Sequence, residues 1–244
     1  MNIVRIGNVT TAELDKLRTL PATTLTAIGA IATGIVIAAA LAASAVAQGA
    51  QASAVDITLQ TVPFAQAGFV LLGILPATHE HAGRQLSTTL TSVPKRGLLV
   101  TGKTVAALLV VAVTAAVSIG ASLAAATIAQ HLTDVPSPAD DGEPGLLAGA
   151  AAYLTLIGLL SHAVALLVRH LVPALVGTLS LVLIISPALA GVTEHARWLP
   201  DRAIAQLYDK TDTALTPVTG ALVALAWIVL IGSVAIARFI RHEP

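Results

Sequence analysis

The chain of 244 residues contains no cysteine, and only 11% of its residues are charged. Without thiols, a disulfide framework, thiol catalysis and a cysteine-based metal site are all excluded. Soluble domains carry about 25% charged residues, so this sequence has too few charges to cover a solvated surface. The formal net charge is zero, which argues against general nucleic-acid binding. These absences point away from a soluble protein.

The sequence instead contains six long apolar runs. Each has about twenty residues or more, which is the length that an α-helix needs to cross about 30 Å of hydrocarbon. A segment such as Ala27–Ala47 is apolar on every side, whereas a soluble core helix would show a polar stripe. The dyad alternation of a β-barrel does not occur, and helices satisfy their own backbone groups in lipid. The sequence predicts an all-α integral membrane protein with one transmembrane domain, residues 1–244, and spans at approximately 22–47, 57–77, 104–129, 145–168, 171–191 and 215–237.

The positive residues predict the orientation of the spans. Lysine and arginine favour the cytoplasmic side. Here they lie before span one, between spans two and three, in the short turn between spans four and five, and after span six. The first and third gaps contain neither residue, and only the fifth gap breaks the pattern, with Arg197, Arg202 and Lys210 among acidic residues. Both termini are therefore predicted to be cytoplasmic.

Two segments are predicted to lie at the membrane boundary. Residues 10–20 are expected to form an amphipathic interfacial helix on the inner leaflet, capped by Thr11 and with Leu14, Leu17 and Leu20 on its apolar side. A solvated lead-in is the alternative. In the fifth gap, Pro187 should kink or end span five. Trp198 and Tyr208 favour the membrane–water boundary. One or two short external helices that dip into the outer leaflet are expected there, with a plain external loop as the alternative.

Charged groups are nearly absent from the spans, and no acid–base pair is embedded in them. This weighs against a proton- or sodium-coupled carrier, which usually needs ionisable groups within the membrane. Gln60 and Gln66 in span two and His162 in span four are candidates for a substrate pathway. The alternative for Gln66 and His162 is hydrogen bonding between helices that fixes their packing.

One motif matches the phosphate-binding loop of nucleotide-binding proteins. Residues 97–104 fit the pattern G-x-x-x-x-G-K-[ST] letter for letter. Such a loop joins a β-strand to a helix in an α/β domain, whereas this one leads into a membrane span. We therefore expect no nucleotide site on this chain, and we expect Lys103 to reach lipid phosphates at the inner boundary.

The segment between spans two and three, residues 79–97, points to a function. Residues 85–91 can form a short helix that ends before Pro94, and charged residues surround it. His79 and His81 lie two residues apart without a third ligand nearby, so a metal site is not predicted. Both ends of the segment are anchored in long helices. A soluble partner that pressed on this segment would tilt both helices.

In this segment the chain resembles the permease subunits of ABC transporters, in particular the type-two class, also called type V exporters, in its small bacterial forms. The resemblance rests on the stretch from Glu80 to Lys103. The N-terminal residues 13–18, the six-span layout, the short basic turn at Arg169 and the basic C-terminus agree with it. One departure is His81, where family members often have a bulkier or aromatic residue.

The resemblance implies a transmembrane subunit of an ATP-driven exporter in the bacterial cytoplasmic (inner) membrane. Such subunits pair with a second copy or a homologous permease around a central pathway, and each docks a separate cytoplasmic ATPase that holds ATP and Mg. The chain itself is expected to be non-catalytic and to bind no cofactor or metal. The resemblance assigns the following residues to ATPase coupling: Glu13, Lys16, Arg18, Glu80, Gly83, Arg84, Thr88, Leu90, Pro94, Lys95 and Arg96.

The substrate and two rival functions stay open. The apolar walls suit a hydrophobic or amphipathic substrate, such as a drug, a peptide or a lipid. A membrane binding or immunity protein could sequester such a molecule without ATP-driven turnover. An intramembrane hydrolase is the leading enzyme alternative, but Ser161 and His162 are adjacent and point about 100° apart on a helix, so they do not pair easily.

Overall fold

The computed structural model describes residues 3–50, 52–82, 96–132, 144–209 and 215–241. Within these ranges 90% of the residues are helical and no strand occurs. Six helices are long and apolar enough, by length and composition, to cross a membrane. The predicted all-α architecture with six candidate spans is confirmed, and it is the architecture of a multi-pass membrane protein.

An N-terminal helix, Ile3–Thr19, precedes the six spans. Span five consists of three pieces. The other five spans are single helices, and in chain order they are Pro21–Ala47, Ala54–Ala82, Arg96–His131, Pro144–Val168 and Pro217–Arg241. The apolar parts of these helices lie within a few residues of the predicted runs, because length and hydropathy are strong signals in membrane segments.

The N-terminal helix begins earlier than the sequence predicted. Thr11, the predicted cap, lies inside the helix and donates its hydroxyl hydrogen to the carbonyl of Gly7 at 3.0 Å. The cap prediction was wrong because a threonine hydroxyl can also bond to the carbonyl one turn back within a helix. Span one starts directly afterwards at Pro21, and the extended backbone of Leu20 makes the bend between the two helices.

Pro187 disturbs span five, as predicted. The amide of Ser186 bonds to the carbonyl of Leu181, five residues back, which is the pattern of a π-helical turn. Proline has no N–H and cannot continue the α-helical ladder, so the helix widens just before it and ends soon after. The three pieces of the span are the α-helix Leu171–Ser180, the π turn Leu181–Ile185 and the α-helix Ser186–Ala190.

Two short helical segments follow span five. They are the 3-10 turn Glu194–Trp198 and the helix Pro200–Ala205. This confirms the prediction of short helices in the fifth gap, and the alternative of a plain loop was wrong. The helix Pro200–Ala205 packs against spans four and six, and its Ala203 and Ile204 are fully buried. Their depth in a membrane stays a prediction.

Long-range contacts define two ends of the bundle. At one end, which we call the Lys103 end, the N-terminal helix contacts span three, and span four contacts span two. At the other end, which we call the Trp198 end, the backbone carbonyl of Leu207 contacts Gly149 of span four. The carbonyl of Ala203 contacts Gly220 of span six in the same way. Glycine at these two positions lets the segment after span five lie directly on the spans.

Spans two and four form the centre of the bundle. A Cβ atom added to Gly73 would overlap the carbonyl oxygen of Gly158, so only glycine lets these two backbones meet. Phe69 and Ile157 beside this contact are fully buried. Of the most apolar window of span two, 61% is buried, against 17–22% for spans one, five and six. The outer spans therefore present apolar faces that lipid or a second chain can cover.

Enlarging Gly73 tests this central contact. We expect Gly73→Val to lower the melting temperature of the detergent-solubilised protein, because the new side chain meets rigid backbone. Overpacking costs about 1–3 kcal/mol, and each kcal/mol corresponds to about 2–4 °C in a chain of this size. Gly120→Val is the control, since Gly120 lies in span three with nothing near its Cβ position. Circular dichroism measures the melting temperature of each variant. Equal melting temperatures for the two variants would contradict the packing described.

Candidate functional site

A buried ion pair joins the N-terminal helix to span three. Nζ of Lys103 donates to Oε2 of Glu13 at 2.9 Å, and the two side chains are only 7% and 8% exposed. Nζ also lies 3.4 Å from the carbonyl oxygen of Pro76 in span two. Exposed ion pairs contribute little, but loss of one partner from a buried pair leaves the other charge uncompensated. The pair therefore holds three helices together at one point.

The N-terminal helix reaches this point because the residue before the lysine is glycine. A Cβ atom on Gly102 would press against the side chain of Val9. Without it, the helix lies close enough to span three for Glu13 to reach Lys103. Glu13 and Leu17, four residues apart on one helical face, are both buried.

The buried stripe of the N-terminal helix differs from the predicted one. The sequence indicated an apolar side through Leu14, Leu17 and Leu20. Leu14 and Leu20 are only half-buried, whereas Glu13 is turned inward. A charge of opposite sign on span three rotates the stripe, because a carboxylate with a buried ammonium partner is more stable inside than an unpaired one. Hydropathy alone does not contain that information.

The motif that resembles a phosphate-binding loop is helical throughout. Lys103 is buried and bound to Glu13, so the prediction that it reaches lipid phosphates was wrong. Gly102 serves the approach of the N-terminal helix, and the hydroxyl of Thr104 donates to the carbonyl of Val100. Each of the three letters G-K-T thus has a structural partner in this fold.

The ion pair does not test the expectation that no acid–base pair is embedded in the spans, because Glu13 belongs to the N-terminal helix. Glu13 precedes span one in the sequence, and the sequence alone gives it a place outside the bundle. In the structure it lies against Lys103, which falls within the apolar part of span three. Ninety residues separate the two, so only the tertiary fold brings them together.

A second polar contact links span four to span two beside the ion pair. Nδ1 of His162 lies 3.0 Å from the carbonyl oxygen of Gly73. A carbonyl only accepts, so this contact assigns the ring hydrogen to Nδ1. Nε2 lies 3.5 Å from the hydroxyl oxygen of Thr104. His162 is fully enclosed, so within one chain the geometry favours the packing alternative for this residue.

Gln66 also lies in the interior. The hydroxyl of Tyr153 in span four donates to Oε1 of Gln66 at 2.7 Å, and both side chains are buried. The ring of Tyr153 meets the ring of Tyr208 edge-on, with centroids 5.0 Å apart. Burial raises the pKa of Tyr208 to about 12, so this phenol stays neutral. Gln66 therefore helps to fix spans two and four to the segment after span five.

Gln60 is different, because its side chain is exposed. Asp56, Gln60, Pro63 and Phe64 are all exposed and share one face of span two, at offsets of four, seven and eight residues. Phe64 is 57% exposed, although this span is otherwise the most buried one. Asp56 and Phe64 were not selected from the sequence. Their helical spacing from Gln60 was the signal that could have found them. We call these four residues the span-two stripe.

A polar link at the Trp198 end holds the short helix to span five. The hydroxyl of Ser186 donates to Oδ1 of Asp201 at 2.7 Å. Burial raises the pKa of the Asp201 carboxyl, and the hydrogen bond from Ser186 opposes this shift. Neither residue was singled out from the sequence, because aspartate after proline is also typical of an ordinary helix start.

The residues predicted to couple the chain to an ATPase fall into three groups. Glu13 lies in the ion pair, while Lys16 and Arg18 belong to the last turn of the N-terminal helix, where Arg18 is exposed. Glu80 and Arg96 belong to the helices that flank segment 79–97, and only their backbone is described. The others lie outside the described residues, and they are Gly83, Arg84, Thr88, Leu90, Pro94 and Lys95.

No protein-family model and no curated protein matches this chain. The resemblance to ABC permeases therefore rests on the sequence features alone and stays a prediction.

Removing one charge of the ion pair tests its structural role. We expect Lys103→Met to destabilise the protein by about 3–5 kcal/mol, because the Glu13 carboxylate is left buried without a partner. The double variant Glu13→Leu/Lys103→Met should recover most of that loss, since neither charge remains. Denaturant unfolding in detergent measures both, with the exposed Arg18→Met as the control. The description would be contradicted if the stability lost by the double variant equalled the sum of the losses of Glu13→Leu and Lys103→Met measured singly.

Proposed function

We propose that this chain is the transmembrane subunit of an ATP-driven ABC exporter, which is coupled to a separate cytoplasmic ATPase through the N-terminal helix and segment 80–96. One observation carries the proposal. The buried pair of Lys103 and Glu13 connects the N-terminal helix to span three and, through the carbonyl of Pro76, to span two. Spans two and three are the two helices that flank the coupling segment.

The geometry suits the transfer of mechanical work. Lys103 lies seven residues after Arg96, about 10 Å along the helix axis from the end of the segment. Pro76 lies six residues before Ala82, at the other side of the segment. A push on the segment or on the N-terminal helix therefore acts on the same three-helix junction. A single rigid junction makes the helices move together, whereas separate contacts would let each one yield independently.

The charge pattern sets the orientation in this proposal. The Lys103 end holds most of the arginine and lysine residues and faces the cytoplasm, with both termini on that side. The Trp198 end, with the short helix Pro200–Ala205, faces outward. The ATPase then meets the N-terminal helix and the segment from the cytosol, where ATP and Mg are present.

The span-two stripe provides the substrate pathway. Polar groups within spans usually face a bundle interior or a water-filled cavity, because lipid does not solvate them. Gln60 and Asp56 are exposed on a single chain, so a second copy or a homologous permease placed against this face would enclose them. An amide beside the aromatic ring of Phe64 suits a hydrophobic or amphipathic substrate, such as a drug, a peptide or a lipid.

The same geometry weighs against the two rivals. The hydroxyl of Ser161 donates to the carbonyl of Ile157, and the ring of His162 faces Gly73 and Thr104. A hydrolase would need these two side chains to act on each other. A binding or immunity protein without turnover would not need to connect the N-terminal helix to the two spans that flank segment 79–97. Both arguments favour the transporter subunit.

Co-purification tests the proposed partner. We expect the tagged chain, extracted from its native membranes in mild detergent, to bring down a soluble protein that hydrolyses ATP and is inhibited by vanadate. Arg84→Glu/Arg96→Glu should reduce the recovered ATPase activity at least tenfold, because it reverses two charges of the docking segment. Arg238→Gln is the control, since Arg238 is an exposed cation at the end of span six. Equal recovery from the two variants, or hydrolysis by the isolated chain, would contradict the proposal.

A further inference from the structure

A lateral groove opens between spans five and six, and its lining extends to Leu199 and Pro200 of the segment after span five. Its volume is about 210 Å³. Leu160 and Val164 of span four form its back wall, and Trp227 of span six and Gly177 of span five lie at its sides. The polar side chains in the lining are Thr178, whose hydroxyl donates to the carbonyl of Ala174, and Trp227, whose Nε1 donates to the carbonyl of Trp198. The groove therefore offers an apolar surface in which the polar side chains already have hydrogen-bond partners.

The groove is open toward the bilayer. Gly177 is exposed, and nothing lies within 4 Å of the position that its Cβ would occupy. Trp227 is exposed along part of its ring. All three walls belong to candidate membrane spans, so lipid chains can reach the groove. Its natural occupant is a linear hydrocarbon chain.

A cation lies in the chain just before the residues that form the roof of this groove. Leu199 and Pro200 form the roof. The Arg197 guanidinium lies 5.9 Å from the centroid of the Trp198 ring, within the range of a cation–π contact. The carbonyl of Trp198 in turn accepts a hydrogen bond from Nε1 of Trp227 at 3.0 Å. These contacts place the exposed Arg197 beside Trp198, which directly precedes the roof residues Leu199 and Pro200 in the chain.

The charge pattern of the chain gives a second reason to consider Arg197 as part of a binding site. The first and third gaps, which share their side with the fifth gap, contain no lysine or arginine. Arg197 departs from that pattern, and within the described residues it makes no ion pair with an acidic side chain. A phosphate group would complement it, and tryptophan beside it is typical of the headgroup level. The segment at Arg197 thus offers a positive charge for a phosphate group next to a groove for a hydrocarbon chain.

We propose that this groove binds one acyl chain of an anionic membrane phospholipid, whose phosphate is held by Arg197. The site requires both halves of the ligand, the chain in the groove and the negative headgroup at the roof. It contains no residue of the coupling junction and needs no ATPase. Lipid binding can therefore be present whether or not the chain is a transporter subunit.

The chain carries its own reporter for this site. It has two tryptophans, Trp198 and Trp227, and both belong to the site. The full chain is reconstituted into phosphatidylcholine vesicles that contain increasing amounts of phosphatidylglycerol brominated on its acyl chains, or of brominated phosphatidylcholine. We expect half-maximal quenching of tryptophan fluorescence at about fivefold lower mole fraction of the anionic lipid. One arginine near a membrane surface contributes about 1 kcal/mol, which corresponds to that factor.

Two pairs of variants separate the two halves of the site. Arg197→Gln should remove the fivefold preference, whereas Arg202→Gln should keep it, since Arg202 lies near Asp201 and Tyr208.

Gly177→Leu should fill the groove and reduce quenching by both lipids, and Gly120→Leu should not. Circular dichroism shows whether the Gly177 variant is folded. If it is not folded, the comparison of Arg197→Gln with Arg202→Gln alone tests the proposal.

Three results would overturn the proposal. The first is equal quenching by the two brominated lipids in the parent protein. The second is a preference that survives Arg197→Gln, which would place the headgroup elsewhere. The third is relief of quenching by millimolar water-soluble glycerophosphate, which would mean that the roof binds free phosphate without a chain in the groove. Retained quenching in the presence of glycerophosphate supports a phospholipid.

Discussion

The structure depends on the pairing of two charges that neither water nor lipid stabilises. Glu13 and Lys103 are both buried, and each is tolerated there because the other is 2.9 Å away. The N-terminal helix must therefore lie against span three, and Gly102 is required to let it do so. The carbonyl of Pro76 extends the junction to span two. Interhelical hydrogen bonds at His162 and Gln66 then fix span four to the same centre.

The molecule has a different character at each end. At the Lys103 end, a charged junction ties the N-terminal helix to the spans that flank segment 79–97. At the Trp198 end, glycines let the segment after span five lie on spans four and six, and the bond between Ser186 and Asp201 holds it. Between the ends, the span-two stripe and the apolar outer faces remain for a partner chain and for lipid. In the proposed function, the Lys103 end takes up the work of the ATPase and the pathway changes toward the Trp198 end.

Hydropathy and proline position predicted what is local. The six spans, the break at Pro187 and the short helices before span six follow from composition and from a missing N–H group. The junction was not predictable, because Glu13 and Lys103 meet only after the N-terminal helix folds back. The letters around Lys103 suggested phosphate, while their actual role is packing and pairing. Sequence also could not separate Gln60 from Gln66, since the direction that each side chain faces depends on neighbouring helices.

The most direct test of the central claim is an electron–electron distance measurement on the protein bound to its proposed ATPase. The chain has no cysteine, so a spin label at Phe64→Cys is unique in each copy, and its distance across the pathway can be followed with ATP and with ATP plus vanadate. We predict that the distance changes with nucleotide, that Lys103→Glu abolishes the change, and that Glu13→Lys/Lys103→Glu restores it. A nucleotide-dependent change that persists in Lys103→Glu would contradict the claim that this ion pair transmits the work of the ATPase.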